Sequence, residues 1–328
     1  PMQVAPKIKM NRKGFGLRQE VKDEIHDIYS SDIIADIKAN GFSKTYGRIT
    51  VHLAQEFGFC YGVDRAVELA YETCHYHSGK KIYLTTEIIH NPSVNQNLAE
   101  MGVRFLSGPY KNAEISDINQ EDIVIVPAFG TPIDELKKYH NIGCNLVDTI
   151  CGSVINVWKR VERYALDEFT SIIHGKYYHE ETIATSSQVT QYPNGQYLVV
   201  LNNDDAQYVC DYIVKGGNKK EFLKKFELAM SPGFDPDIHL TKIGIANQTT
   251  MLSSESLHIA GMVKKALEQR YQGDDINDHF RSFDTICSAT QERQDAIIAM
   301  RDKNPDISIV IGGYNSSNTS NLHRIARE

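Results

Sequence analysis

Asp148-Thr149-Ile150-Cys151 and Asp284-Thr285-Ile286-Cys287 are one tetrapeptide written twice, and each copy closes a strand-like stretch and opens a helix-like one. Cys60 has the same setting. Ile49 to Leu53 alternates apolar and polar residues, Gly58-Phe59-Cys60-Tyr61-Gly62 turns, and Val63 to Tyr71 carries apolar residues at helical spacing. Three cysteines therefore stand at three strand-to-helix junctions. Backbone N–H groups at the start of a helix favour a thiolate over a thiol, so this is a place for ligating or reactive cysteines.

Around these junctions the chain alternates. Ile82 to Leu84, Ile123 to Val126, Asn145 to Ile150, Ser171 to His174, Tyr197 to Leu201, Lys242 to Ala246 and Ser308 to Ile311 read as strands, mostly separated by helical stretches. That pattern predicts an α/β chain with mainly parallel sheets. The repeated junctions divide it into three similar modules, 48–145, 146–283 and 284–328, each presenting one cysteine towards a common centre. Residues 1–47 read as an N-terminal extension with one amphipathic helix, since Ile25, Ile28, Tyr29, Ile33 and Ile37 share a face and Gly41 is placed to end it. The third module is short, with one good helix, one strand and the start of a second helix. It is expected to be incomplete here and to continue in the native protein.

Composition narrows the function classes. With 328 residues, 41% hydrophobic and 23% charged, the chain has ample core for two or three domains. A net charge of −7 argues against a general binder of nucleic acid or anionic membrane, so an anionic ligand has to be met by a local cluster of donors. Apolar runs fall far short of the ~20 residues that span a bilayer, and no signal peptide precedes the first module. A cytoplasmic location is expected. Six cysteines in such a chain fit a reducing compartment. Cys74 and Cys210 lie in helix-like stretches and Cys144 precedes a strand, so these three read as packing.

Three converging thiolates admit several chemistries. Structural zinc prefers four ligands in close pairs, and no C-x-x-C occurs. Catalytic zinc would normally add histidine. An iron–sulfur cluster held by three cysteines leaves one iron open to a substrate oxygen. Polar loops supply further candidates. Gly312-Gly313-Tyr314-Asn315-Ser316-Ser317-Asn318-Thr319-Ser320 follows a strand-like run and precedes a helix-like one, an arrangement that cradles phosphate oxygens as readily as it makes an ordinary cap. His90 and His179 follow strand-like segments, where open α/β sheets bind ligands. Glu181 is a candidate proton donor, working through the hydroxyl of Thr249 in Asn247-Gln248-Thr249-Thr250.

Together, Gly58-Phe59-Cys60-Tyr61-Gly62-Val63-Asp64-Arg65-Ala66, Glu87 to Pro92, His174 to Thr185, Ala246 to Leu252, Ala289-Thr290-Gln291-Glu292-Arg293-Gln294-Asp295 and Asn315 to Ser320 make the chain resemble the 4-hydroxy-3-methylbut-2-enyl diphosphate reductases, from about Asn11 to its end. The cyanobacterial and plant branch is the nearer one. The resemblance implies three α/β modules around a central 4Fe-4S cluster on Cys60, Cys151 and Cys287. It implies reductive removal of the 4-hydroxyl of an allylic diphosphate, giving isopentenyl and dimethylallyl diphosphate, with ferredoxin or flavodoxin as electron donor. It gives His90, His179, Ser316 and Asn318 to the diphosphate, with Asn315, Ser317 and Gln248 as neighbours, and makes Glu181 the proton donor with Thr249 in its relay. The alternative expectation is a truncated or degenerate paralogue that binds cluster or diphosphate without turnover. Three departures stand out. Gly152-Ser153 follows the second cysteine where relatives usually have proline, Phe129 stands where bacterial relatives have a histidine, and the family's C-terminal diphosphate-contacting serine segment lies beyond residue 328.

Overall fold

The computed structural model describes residues 8–283 and 285–327. The N-terminal segment forms helices α1 (Arg18–Tyr29) and α2 (Asp32–Ala39). One helix was expected, but Ser30 is extended and the Ser31 side chain accepts from the Ile34 N–H, capping a new helix. Strands β1 (Ser43–Tyr46) and β2 (Ile49–His52) follow as an antiparallel hairpin, with Gly47 at φ 62° in its turn. The Ile49 stretch is thus a strand as read, but it pairs with Ser43–Tyr46 rather than joining a parallel sheet.

Next come α3 (Tyr61–Tyr76), β3 (Ile82–Leu84), α4 (Pro92–Glu100), β4 (Arg104–Phe105), β5 (Ile123–Val126), α5 (Ile133–Ile142) and β6 (Asn145–Asp148). Helix α6 (Gly152–Leu166) leads to β7 (Thr170–His174), α7 (Glu180–Val189), β8 (Tyr197–Val200), α8 (Asn203–Lys215), α9 (Lys219–Lys225), α10 (Pro236–His239), β9 (Ile243–Asn247), α11 (Ser253–Arg270) and β10 (Phe280–Ser282). The described chain closes with α12 (Ser288–Arg301) and α13 (Ser317–Arg327).

The chain forms two compact units. One comprises Lys9–Ala128, Ile142–Cys151 and the residues from Ser288 on; the other comprises mainly Phe129–Asn141 and Gly152–Cys287. The first holds the parallel sheet β4-β3-β5-β6, the second the parallel sheet β8-β7-β9-β10. Numbered within its own sheet, each runs in the order 2-1-3-4. This is one topology used twice. The fold is α/β with parallel sheets, and the central strands show why. Ile123 to Val126 and Ile243 to Asn247 are buried at every position, the signature of strands covered on both faces.

Each unit has its own core. In the first, Ile82, Leu84, Ile123 and Ile125 pack with Val67, Ala70 and Tyr71 of α3 and with Val94 and Leu98 of α4. In the second, Ile172, Ile173, Leu198 and Ile245 pack with Val157 and Val161 of α6 and Val263 and Leu267 of α11. Gly244 lets β9 pass beneath Tyr164, whose ring occupies the space that any Cβ there would need. Among the described residues no helix is long and apolar enough to cross a membrane.

Ser308 to Ile311 is not a strand, contrary to expectation. In a 2-1-3-4 sheet the first strand needs neighbours on both sides, and the sheets of the described residues provide none here. Ile307, Ile309 and Ile311 remain 78%, 79% and 91% exposed.

Candidate functional site

Each of the three junction cysteines immediately precedes a helix: Cys60 before α3, where it is the N-cap residue, Cys151 before α6 and Cys287 before α12. All three are half-buried. In the first unit the Cys60 and Cys151 thiols share one space. A Cβ added to Gly62 would lie 2.5 Å from the Cys151 sulfur and 3.9 Å from that of Cys60. Glycine leaves room between the two sulfurs that any other residue would fill. The remaining thiols are different. Burial pushes Cys74 and Cys210 up to about 12 and Cys144 up to about 11, which keeps them protonated and unreactive at neutral pH.

The Cys151 junction is firmly held. Its N–H donates to the Ala128 carbonyl at 2.8 Å, and the Thr149 hydroxyl donates to the Val126 carbonyl at 2.6 Å. Asp148, 1% exposed, accepts from the Ile150 N–H at 2.8 Å and pairs with Arg12. Arg12 belongs to a strap from the N-terminal segment. Asn11 bridges the outer edge of β6 through hydrogen bonds to Leu146 and Asp148, each 2.8 Å, while Arg65 of α3 donates to the Arg12 carbonyl. The strap then continues to Glu72 of α3, whose carboxylate accepts from the N–H groups of Phe15 and Leu17. One short segment thus ties the helix that starts at Cys60 to the strand that ends before Cys151.

The same unit carries His90, in the loop between β3 and α4. Its Nδ1 lies 3.1 Å from a carboxylate oxygen of Glu87, which is 6% exposed and also accepts from Asn95. An ionised carboxylate only accepts, so His90 donates from Nδ1. Gly313 sits against the His90 backbone so closely that a Cβ would run into its carbonyl. The glycine-rich loop is thereby brought to His90. Beyond it, Ser316 caps α13 by accepting from the Thr319 N–H at 3.2 Å. Ser317 is buried, Asn315 is exposed, and the side-chain oxygen of Asn318 is buried with no hydrogen-bond partner among the described residues. A buried amide oxygen in that state costs roughly 1–3 kcal/mol unless a donor reaches it.

In the second unit His179 occupies the equivalent loop, between β7 and α7. It is the N-cap of α7, its Nδ1 accepting from the Glu181 N–H at 3.1 Å, so the ring is neutral and its proton is on Nε2. Phe129 stands edge-on to this ring with centroids 6.3 Å apart. Glu181 is 3% exposed, and Thr249 donates to its two oxygens from N–H at 2.6 Å and from the hydroxyl at 3.0 Å. Gln248 is used structurally. Its oxygen accepts from the Lys176 N–H and the Thr182 hydroxyl, and its amide donates to Thr250. Cys287 donates from its N–H to the Thr249 carbonyl at 3.5 Å, and Thr285 bonds the Asn247 side chain. Asp284, the first residue of the second tetrapeptide, lies outside the described residues.

Sequence reasoning missed Glu87, Arg12 and Asp148. The spacing Glu87-Ile88-Ile89-His90 was the available signal for the first, since a carboxylate three residues before a histidine can reach its ring.

Residues 51–328 match the LytB protein family. A protein of Synechococcus sp. (strain RCC307) named 4-hydroxy-3-methylbut-2-enyl diphosphate reductase is 50% identical over 318 residues, covering 97% of this chain and 77% of its own length. One of the same name from Nostoc punctiforme is 49% identical, covering 97% and 78%. Among solved structures, one described as (E)-4-hydroxy-3-methyl-but-2-enyl diphosphate reductase, the terminal enzyme of the non-mevalonate pathway, superposes with a TM-score of 0.56 at 27% identity, over 84% of this chain and 80% of that one. A Plasmodium falciparum reductase structure, 23% identical, shares the fold with a TM-score of 0.62 over 82% of this chain and 70% of that one.

Proposed function

The chain belongs to the LytB protein family, and we propose that it works as its relatives are named: it is an iron–sulfur oxidoreductase of isoprenoid biosynthesis that reduces (E)-4-hydroxy-3-methylbut-2-enyl diphosphate to isopentenyl and dimethylallyl diphosphate. The observation that carries the reading is the meeting of the Cys60 and Cys151 thiols over Gly62. Sulfur donors at helix starts, around space kept clear by a glycine, fit a thiolate-ligated cluster.

Cys60, Cys151 and Cys287 are assigned as the ligands of a 4Fe-4S cluster. Bound there, the cluster supplies low-potential electrons and a Lewis-acidic iron. The overall reaction breaks the C–O bond of the 4-hydroxyl, consumes two electrons and two protons, and releases water. Glu181 is assigned the proton for the departing oxygen. Protonated, it donates to the Thr249 hydroxyl, which passes its own proton on; the Thr249 N–H, on the other carboxyl oxygen, holds the group in line.

Diphosphate recognition is assigned to His90, His179, Ser316 and Asn318. His179 donates from Nε2 as a neutral ring. For His90 to donate from Nε2 while Nδ1 faces Glu87, the ring must be the imidazolium, a charge that Glu87 balances. Gln248 acts by fixing the loop on which Thr249 stands, and Asn315 and Ser317 shape the turn into α13. The module boundaries 48–145, 146–283 and 284–328 rest on a recurring order of cysteine, helix, strand-like run, polar loop and helix. Ferredoxin or flavodoxin is the proposed electron donor.

The test is anaerobic reconstitution with iron and sulfide, followed by turnover with a reduced low-potential dye. The expected result is a brown protein that consumes the substrate. Cluster absorbance should fall in each of Cys60→Ser, Cys151→Ser and Cys287→Ser. A colourless protein after reconstitution overturns the reading.

A further inference from the structure

Within the second unit, the outward face of α6 and the segment leading to Cys287 enclose an open cavity of about 360 Å³, lined by Ser153, Asn156, Lys159, Arg160, Thr285 and Ile286. Lys159 and Arg160, and Arg163 one turn on, are exposed on α6. Lys159 and Arg160 form no ion pair among the described residues, while Arg163 and Arg281 share the single carboxylate of Asp167. In a chain of net charge −7 this is a concentrated positive surface. It also has an aromatic floor. Phe283 is 43% exposed, the Arg160 guanidinium lies 3.9 Å from its ring centroid, and Tyr164 stacks against it at 6.5 Å. Arg281 lies 4.2 Å from the Phe169 ring centroid.

Arginine held on an exposed aromatic ring is the composition of an interface anchor, because stacking fixes the guanidinium before any partner arrives. None of these residues takes part in the chemistry assigned above. Two walls of the cavity, Thr285 and Ile286, directly precede Cys287.

We propose that this basic and aromatic surface is the docking site of an acidic, low-potential electron-donor protein. The proposal rests on the reductase reading, which requires electrons from outside the chain. Opposite charge steers the carrier to the patch, and a carrier seated in the cavity stands one residue away from an assigned cluster ligand.

The experiment measures binding of an acidic plant-type ferredoxin to the whole chain by titration at several ionic strengths, alongside dye-driven turnover. Lys159→Glu combined with Arg160→Glu is expected to weaken ferredoxin binding at least tenfold at low salt and to flatten its salt dependence, leaving dye-driven turnover within twofold. The milder Lys159→Gln should give a smaller loss in the same direction, which keeps the test valid if the double reversal misfolds. Unchanged ferredoxin affinity overturns the proposal. So does equal weakening by Lys264→Glu with Lys265→Glu on α11, which would reduce the effect to net charge, and so does duplex DNA binding as tightly as ferredoxin. Loss of dye-driven turnover in the unmodified protein is a different failure, that of the reductase reading.

Discussion

The two parallel sheets present the same chemistry from the same topological places, but they hold it differently. In each, a threonine of the repeated tetrapeptide bonds the end of the third strand: Thr149 to Val126 and Thr285 to Asn247. In each, the cysteine N–H donates to a carbonyl two residues further on, Ala128 or Thr249. The first of these bonds is 2.8 Å long and braced by Asp148 and the N-terminal strap; the second is 3.5 Å long. The histidine loops diverge as well. His90 faces a carboxylate, whereas His179 spends its Nδ1 on capping a helix. Duplicated architecture therefore yields one braced half whose histidine faces a carboxylate and one half whose histidine is a neutral helix cap beside the proposed proton donor.

The comparison breaks most decisively at Glu181. Glu181→Gln keeps the shape and the Thr249 N–H contact but carries no acidic proton, so kcat should fall about 10³-fold with iron content and diphosphate affinity unchanged. Single-turnover assays beside iron analysis decide it, and full turnover removes Glu181 from its role. Gly62→Ala comes next. The added methyl enters the space between the two sulfurs, so reconstituted iron should drop by half or more. Thermal stability of the cluster-free chain should change little, because the up to about 1 kcal/mol that alanine gains over glycine in a helix is offset by displacing the Cys151 sulfur. Iron retention at the level of the parent would show that the thiols do not share that space.

Glu87→Gln tests the half whose histidine faces a carboxylate. Removing the counter-charge of His90 should raise KM for the diphosphate roughly 10- to 150-fold, in line with ~1.5–3 kcal/mol for a charge-assisted hydrogen bond, and leave kcat nearly unchanged. Equal KM values would make His90 a neutral ring like His179. The smallest effect is at Gly152. Its Cβ position is open and its φ is not in the left-handed region, so Gly152→Ala should stabilise the fold by ~0.4–1 kcal/mol through the unfolded chain. A calorimetric Tm below that of the parent would mean that the glycine is required at the Cys151 junction.

Much of this was legible because repetition is legible. A tetrapeptide written twice announces two equivalent turns, and the apolar runs within Ile123 to Val126 and Lys242 to Ala246 announce central strands. Pairing is what the linear pattern could not supply. Ser308 to Ile311 is a β-branched apolar run like a strand but has no neighbour to bond among the described residues, and Ile49 to Leu53 found its partner in Ser43–Tyr46, across a two-residue turn marked only by Gly47. The amphipathic face from Ile25 to Ile37 hid a break because Ser30 and Ser31 are polar on a polar side. Proton positions were equally invisible. Whether a histidine donates from Nδ1 depends on what folds against it, and Glu87 and the Glu181 N–H give opposite answers.

The exposed row of Ile307, Ile309 and Ile311 also bears on how the protein behaves in a tube. Three β-branched side chains at alternate positions, on backbone that belongs to no sheet, invite strand pairing with a second copy of the same segment. Concentrated stocks should thicken into oligomers through this stretch long before the well-packed sheets unfold, and a charged residue at position 309 is the simplest remedy.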